Sequence, residues 1–244
     1  MKWMFWGIVV AVLLVYVVQG VMLLYHVRVG KALAETAKPF ERTQEDAELR
    51  VLFVGDSTVV GTGASAPEFS TAGQFATKYP MASVENLGVN GMKLAEVVPR
   101  LAAAQRDHYD LIVMQAGGND IMFWSDLEEV EQQVPEIVQE LQARADAVVL
   151  LHSGNVGATR AIPHGLGAFG YYERRTLRMR ALYQQQAETH ENVFYVDLFI
   201  PRGEEGSWNS NDYYAADLFH PSDKGYASWF ERMEPVIAKA LANK

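Results

Sequence analysis

The chain has 244 residues, about one domain's worth, and its 49% hydrophobic and 21% charged residues form a globular mixture rather than a disordered one. A net charge of −9 argues against a nucleic-acid partner, which needs clustered Lys and Arg. There is no cysteine, which excludes a disulfide scaffold, a thiolate nucleophile and a Cys-ligated zinc site.

The first element differs from all that follow. From Trp3 to Leu24 run 22 residues without a charge, Gln19 being the one clearly polar side chain. A helix of that length reaches roughly 33 Å, enough to cross the hydrocarbon layer of a bilayer. Trp3, Trp6, Tyr16 and Tyr25 add aromatics, most of them near an end, where interfacial belts form. A cleaved signal peptide would carry a shorter apolar core ending close to its cleavage site, whereas Ala32-Leu-Ala34 lies well past the apolar run. Residues 1–25 are therefore expected to be an uncleaved transmembrane anchor. Lys2 on one side and Arg28, Lys31 and Lys38 on the other do not set its orientation. Residues 26–49, with Pro39 and the mixed-charge run 41–46, read as a linker or short amphipathic neck.

Residues 50–244 alternate between strand and helix patterns. Short apolar runs occur at Val51–Val54, Val84–Leu87, Leu111–Met114, Ala147–Leu151 and Val193–Val196. They lack polar alternation, as strands buried on both faces do. Between them Leu94, Val97, Val98 and Leu101 make one helical stripe, and Leu127, Val130, Val134, Ile137, Val138 and Leu141 another. Ser125 and Glu128 are spaced as a capping box for the second, and Pro99 and Pro135 predict kinks or breaks. A last helix opens at Ser222, with Tyr226, Trp229, Phe230, Met233 and Ile237 facing the core. The class expected is α/β, a three-layer α/β/α sandwich on a five-stranded parallel sheet, preceded by one transmembrane helix. In such sheets chemistry gathers at the carboxyl ends of the strands.

The residues after each run are informative together. Gly55-Asp56-Ser57-Thr58 follows the first, Asn86-Leu-Gly88-Val-Asn90-Gly91 closes the second, and Gly117-Gly118-Asn119-Asp120 follows the third. Near the end stands Asp217-Leu-Phe-His220-Pro221. A serine hydroxyl needs a base, the base needs a group to hold its tautomer, and a tetrahedral intermediate needs preorganised donors. Asp56, like Asp120, suits a turn or helix start, and His152 ends the fourth strand facing the same edge. Trp124 and Phe123 can wall a cleft, and Gly-rich segment 154–172 can form a rim or lid. Asp212 is a less favoured substitute for Asp217. Gly61 and Gly63 match no phosphate loop, and no cluster has metal-ligand spacing.

The blocks Gly55-Asp56-Ser57, Gly88, Gly117-Gly118-Asn119-Asp120 and Asp217-x-x-His220 resemble the SGNH (GDSL) hydrolase family in order and spacing, from about residue 50 to the end. The resemblance implies a flavodoxin-like sheet and serine esterase chemistry without metal or organic cofactor. It implies Ser57 as nucleophile, His220 as general base and then acid, and Asp217 as the group orienting His220. The oxyanion donors implied are the N–H of Ser57, the N–H of Gly88 and the side-chain amide of Asn119; Thr58 replaces the family's usual leucine. Asp56, Asp120, His152 and Trp124 are the further candidates for lining the cleft. An acyl-lipid or lysophospholipid ester suits an anchored enzyme, with O-acetyl groups on envelope glycans as the alternative. A membrane-tethered module that binds without turnover, or a phosphate binder, would have no use for all four blocks.

Overall fold

The computed structural model describes residues 2–162, 168–201, 204 and 210–242. Helix α1 spans Lys2–Thr36 without interruption. The domain then runs β1 (Leu49–Gly55), α2 (Ser57–Val60), α3 (Thr71–Lys78), β2 (Ala82–Gly88), α4 (Val97–Leu101), β3 (Tyr109–Gln115), α5 (Gly118–Met122), α6 (Leu127–Gln142), β4 (Ala145–Leu151), α7 (Ala168–Thr189), β5 (Val193–Tyr195) and α8 (Asp223–Ala242). All five apolar runs are strands, paired in parallel in the order β2-β1-β3-β4-β5.

The sheet is buried on both faces, which is why its strands read as unbroken apolar runs. Along β1, Leu52 and Val54 belong to the core shared with α4, α6 and α7, whereas Val51 and Phe53 belong to the one under α3 and α8. The stripe Leu127, Val130, Val134, Ile137, Val138 and Leu141 is fully buried in the first core. Tyr226, Trp229, Met233 and Ile237 of α8 are buried on their helix's core face.

Two local expectations are corrected. The cap of α6 is Asp126, whose carboxylate accepts the Glu128 N–H at 2.8 Å, so Ser125 and Glu128 form no capping box. Pro135 does not split α6, which continues through Gln142; its neighbours Val134, Ile137 and Val138 hold that turn in the core. Ser222 does open α8, accepting the Gly225 N–H at 3.3 Å.

The neck is not a free linker. Residues 26–36 continue α1, and the chain beyond them runs along the outside of β2: Arg42 bridges Val84 in antiparallel fashion, and the Glu48 N–H reaches the Met81 carbonyl.

Candidate active site

The site is assembled at the carboxyl edge of the sheet by three loops. At the first, Asp56 caps α2: its Oδ1 accepts the Thr58 N–H at 2.9 Å and the Thr58 hydroxyl at 2.8 Å. Thr58, where leucine was expected, thus adds a bond that holds the turn. Ser57 is the first residue of α2, and its N–H donates to nothing among the described residues.

The last loop carries Asp217 and His220. Asp217 Oδ1 accepts the N–H groups of Phe219 and His220, each at 3.0 Å, closing an Asx-type turn through Leu218 at φ +55°. That turn points both side chains the same way. His220 Nδ1 lies 2.6 Å from Asp217 Oδ2, and His220 Nε2 lies 3.0 Å from Ser57 Oγ. With Asp217 as acceptor, the Nδ1–H donates to it and Nε2 is left to accept the serine hydroxyl. Burial pushes the Asp217 carboxyl up, but the bond from His220, its charge and the two backbone donors outweigh that and hold it below the usual carboxylate range.

Asn119, on α5, supplies the side-chain amide; one of its hydrogens goes to the Met92 carbonyl at 3.0 Å, leaving the other. Its loop is held by Arg175 of α7, whose guanidinium donates to the carbonyls of Asp120 at 2.8 Å, Ser125 at 2.6 Å and Ile121 at 3.1 Å. Nothing in the sequence marks Arg175, because its partners are carbonyls some 50 residues away.

Gly88 does not fill its expected place. Its N–H donates to Asn86 Oδ1 at 2.9 Å, and a Cβ on it would sit 2.7 Å from the Val60 nitrogen. It is glycine so that α2 can approach β2. The neighbouring Gly91 N–H, one residue before the Met92 that Asn119 grips, is unpaired among the described residues.

A narrow cleft meets Ser57, Asn119 and His220 and is walled by Asn155, Val156 and Leu198 among others. Of the four further candidates only Asp56 lines it. Asp120 is buried beneath, accepting the Leu94 N–H at 3.0 Å; His152 is buried against Tyr195 at 2.9 Å; Trp124 is 67% exposed and stands outside. Within 154–172, residues 154–159 are a packed wall of the cleft, 168–172 begin α7, and 163–167 lie outside the described residues. Among the described residues no cluster could hold a metal ion.

Two buried groups oppose each other in their response to pH. Burial pushes the His152 imidazole from 6.5 down to about 4, so between those values the unfolded chain holds a proton the folded one refuses, and stability falls as pH drops. Burial pushes Asp56 from 3.8 up to about 6, so between those values the folded chain keeps a proton the unfolded one has lost, and stability falls as pH rises. Each effect is worth on the order of 3 kcal/mol, at 1.4 kcal/mol per unit. His152→Gln is expected to leave the Asp56 slope alone: urea denaturation should show stability falling more steeply from pH 4 to 6 than in the parent.

The parallel sheet thus brings a hydroxyl, an imidazole and a carboxylate into one line at its carboxyl edge. The GDSL-like lipase/acylhydrolase family model matches residues 53–228, and the chain belongs to that family, as an ester hydrolase. Solved structures share the fold at low identity. A lipase from a goat rumen metagenome has a TM-score of 0.59 at 18% identity, over 77% of this chain and 97% of that one. An acetyl xylan esterase from Geobacillus stearothermophilus gives 0.57 at 18%, over 81% and 96%. A psychrotrophic esterase, EstA, from a Pseudoalteromonas species gives 0.56 at 16%, over 80% and 100%. No curated protein matches the chain.

Proposed function

We propose that the protein is a membrane-anchored esterase in which Ser57 is the nucleophile, His220 the base and Asp217 its orienting partner. The observation that carries this reading is the hydrogen-bond line Asp217–His220–Ser57, at 2.6 and 3.0 Å. Ser57 Oγ attacks the ester carbonyl as His220 Nε2 takes its proton, and Asp217 stabilises the imidazolium that results. The negative oxygen is met by the Ser57 N–H and the free Asn119 amide hydrogen, both of which belong to residues lining the cleft. Collapse breaks the ester C–O bond, and His220 returns the proton to the departing alkoxide. Water, deprotonated by His220, then cleaves the acyl-serine and releases the acid.

The anchor reading is supported by α1 itself. Trp3, Phe5, Leu13, Leu14 and Leu24 all stand more than half exposed on a helix long enough to span a bilayer. Cleavage after Ala34 would remove helix residues that pack against the site, which an anchor preserves. The substrate class that suits such a protein is an acyl-lipid ester.

Turnover of p-nitrophenyl esters from acetate to palmitate by the full chain in detergent tests this. Preference for long chains supports the lipid class; preference for acetate supports O-acetyl groups on glycans; inertness toward the whole series contradicts the esterase.

A further inference from the structure

The membrane helix does not end at the membrane. Beyond Leu24, the residues of α1 that lose exposure are His26, Val29, Gly30, Leu33 and Ala34, and Ala37 just past its end continues the same stripe. What the stripe touches is the active site. A Cβ built on Gly30 would lie 2.9 Å from Asp217 Oδ2, the oxygen that binds His220. One turn on, the Ala34 carbonyl accepts the Asn90 amide at 3.1 Å, and Leu33 and Thr36 share a groove with Gly61 and Gly63 of the loop after α2. Asp217 is held from its other side by two backbone N–H groups, so it cannot yield to a side chain at position 30 without loosening its grip on His220.

The path of the chain sets the direction of the cleft. After α1 the backbone descends along β2, passing Val84 at Arg42 and Met81 at Glu48, so it travels from the carboxyl edge of the sheet toward the amino edge. The C-terminal end of α1, beside Asp217, Asn90 and the loop after α2, therefore lies at the carboxyl edge, where the cleft opens. From Leu24 to Gly30 is six residues of helix, about 9 Å, so the turn beside Asp217 stands close to the end of the apolar run. Exposed Val89 follows the end of β2, and exposed Phe69, Phe123 and Trp124 stand just before the starts of α3 and α6, the helices that lead back from that edge. Apolar and aromatic side chains at that level are the ones interfaces accept.

We infer that the anchor helix itself seats the Asp217 carboxylate through Gly30 and turns the cleft toward the bilayer it spans, so that the ester is drawn from a lipid of that same membrane. This rests on the esterase reading, and deepens it: Gly30 is a positioning residue, and height above the membrane becomes a determinant of specificity.

The test uses the full chain in phosphatidylcholine vesicles carrying a fluorogenic acyl-ester lipid, with p-nitrophenyl acetate as the water-soluble comparison. An insertion of two helical turns between Tyr25 and His26 (about seven residues) lifts the domain by roughly 10 Å and keeps the docked stripe in phase. It is expected to cut vesicle-lipid turnover at least about tenfold, a near-attack geometry being lost, while acetate turnover stays within about twofold. Equal effects on both substrates, or no effect on the lipid, overturn the inference. Gly30→Leu is expected to lower kcat on acetate by about a hundredfold at unchanged KM and to abolish the far-downfield Nδ1–H proton resonance of His220, with Gly30→Ala retaining part of both. A Gly30→Leu protein that keeps rate and resonance overturns the seating. A parent inert toward acetate and lipid alike sinks the esterase reading, and this inference with it, a result distinct from an active parent that ignores the insertion.

Discussion

His220→Ala is expected to lower kcat for ester hydrolysis by about four to six orders of magnitude, with a stability change no larger than about 2 kcal/mol. In the proposed mechanism the rate effect is large because His220, 3.0 Å from Ser57 Oγ, would serve both half-reactions, taking the serine proton and later activating water. The stability effect is small because the loop does not depend on the imidazole. Asp217 Oδ1 still holds the N–H groups of residues 219 and 220, and the Ala215 N–H still reaches the carbonyl of residue 220 at 2.8 Å. Ser57→Ala should cost about as much, and the double variant no more than either single one, since each removes the same unit. Steady-state rates on a p-nitrophenyl ester decide it. Additive losses would mean that Ser57 and His220 work separately.

The largest effect on stability is expected from Gly55→Ala, just before the Asp56-Ser57 turn. Gly55 has φ +147°, and a Cβ there would fall 1.9 Å from the Gln115 carbonyl oxygen and 2.6 Å from its carbonyl carbon. Both atoms belong to β3, the neighbouring strand, so no side-chain rotation relieves the clash. The same carbonyl accepts the Asp56 N–H at 2.9 Å, so pushing it away also undoes the turn that presents Ser57. A loss of about 4 kcal/mol or more is expected, lowering Tm by roughly 10 °C, with activity falling in the protein that remains folded. Thermal unfolding of the two proteins side by side measures it; an unchanged Tm would mean that β1 and β3 lie farther apart than described.

The sheet was readable in the chain because burial on both faces leaves a local signature: Val51–Val54 and Leu111–Met114 are apolar at every position, and each became a strand. The hydroxyl, imidazole and carboxylate were readable because family spacing singles out Ser57, Asp217 and His220, which the fold brings within hydrogen-bond reach. What escaped depends on contacts without period or motif. Gly88 stands in a turn like that of a backbone donor, but its N–H is taken by the Asn86 side chain two residues away. Depth was invisible too: His152 and Asp120 follow strands as cleft residues do, yet both are buried beneath it. What the neck packs against was hidden for a related reason. Residues 26–37 are polar enough on their outer face to resemble a linker, and the small residues Gly30, Ala34 and Ala37 on the inner face carry little hydrophobic signal. Their smallness is what lets the helix lie close to Asp217.

The most direct measurement is covalent. The full-length chain, treated with a fluorophosphonate and digested, should yield an adduct approaching one per chain on Ser57, formed rapidly in the parent, far more slowly in His220→Ala and not at all in Ser57→Ala. Esterase activity that persists with Ser57 unmodified, or an adduct on a different residue, would contradict the assignment of the nucleophile.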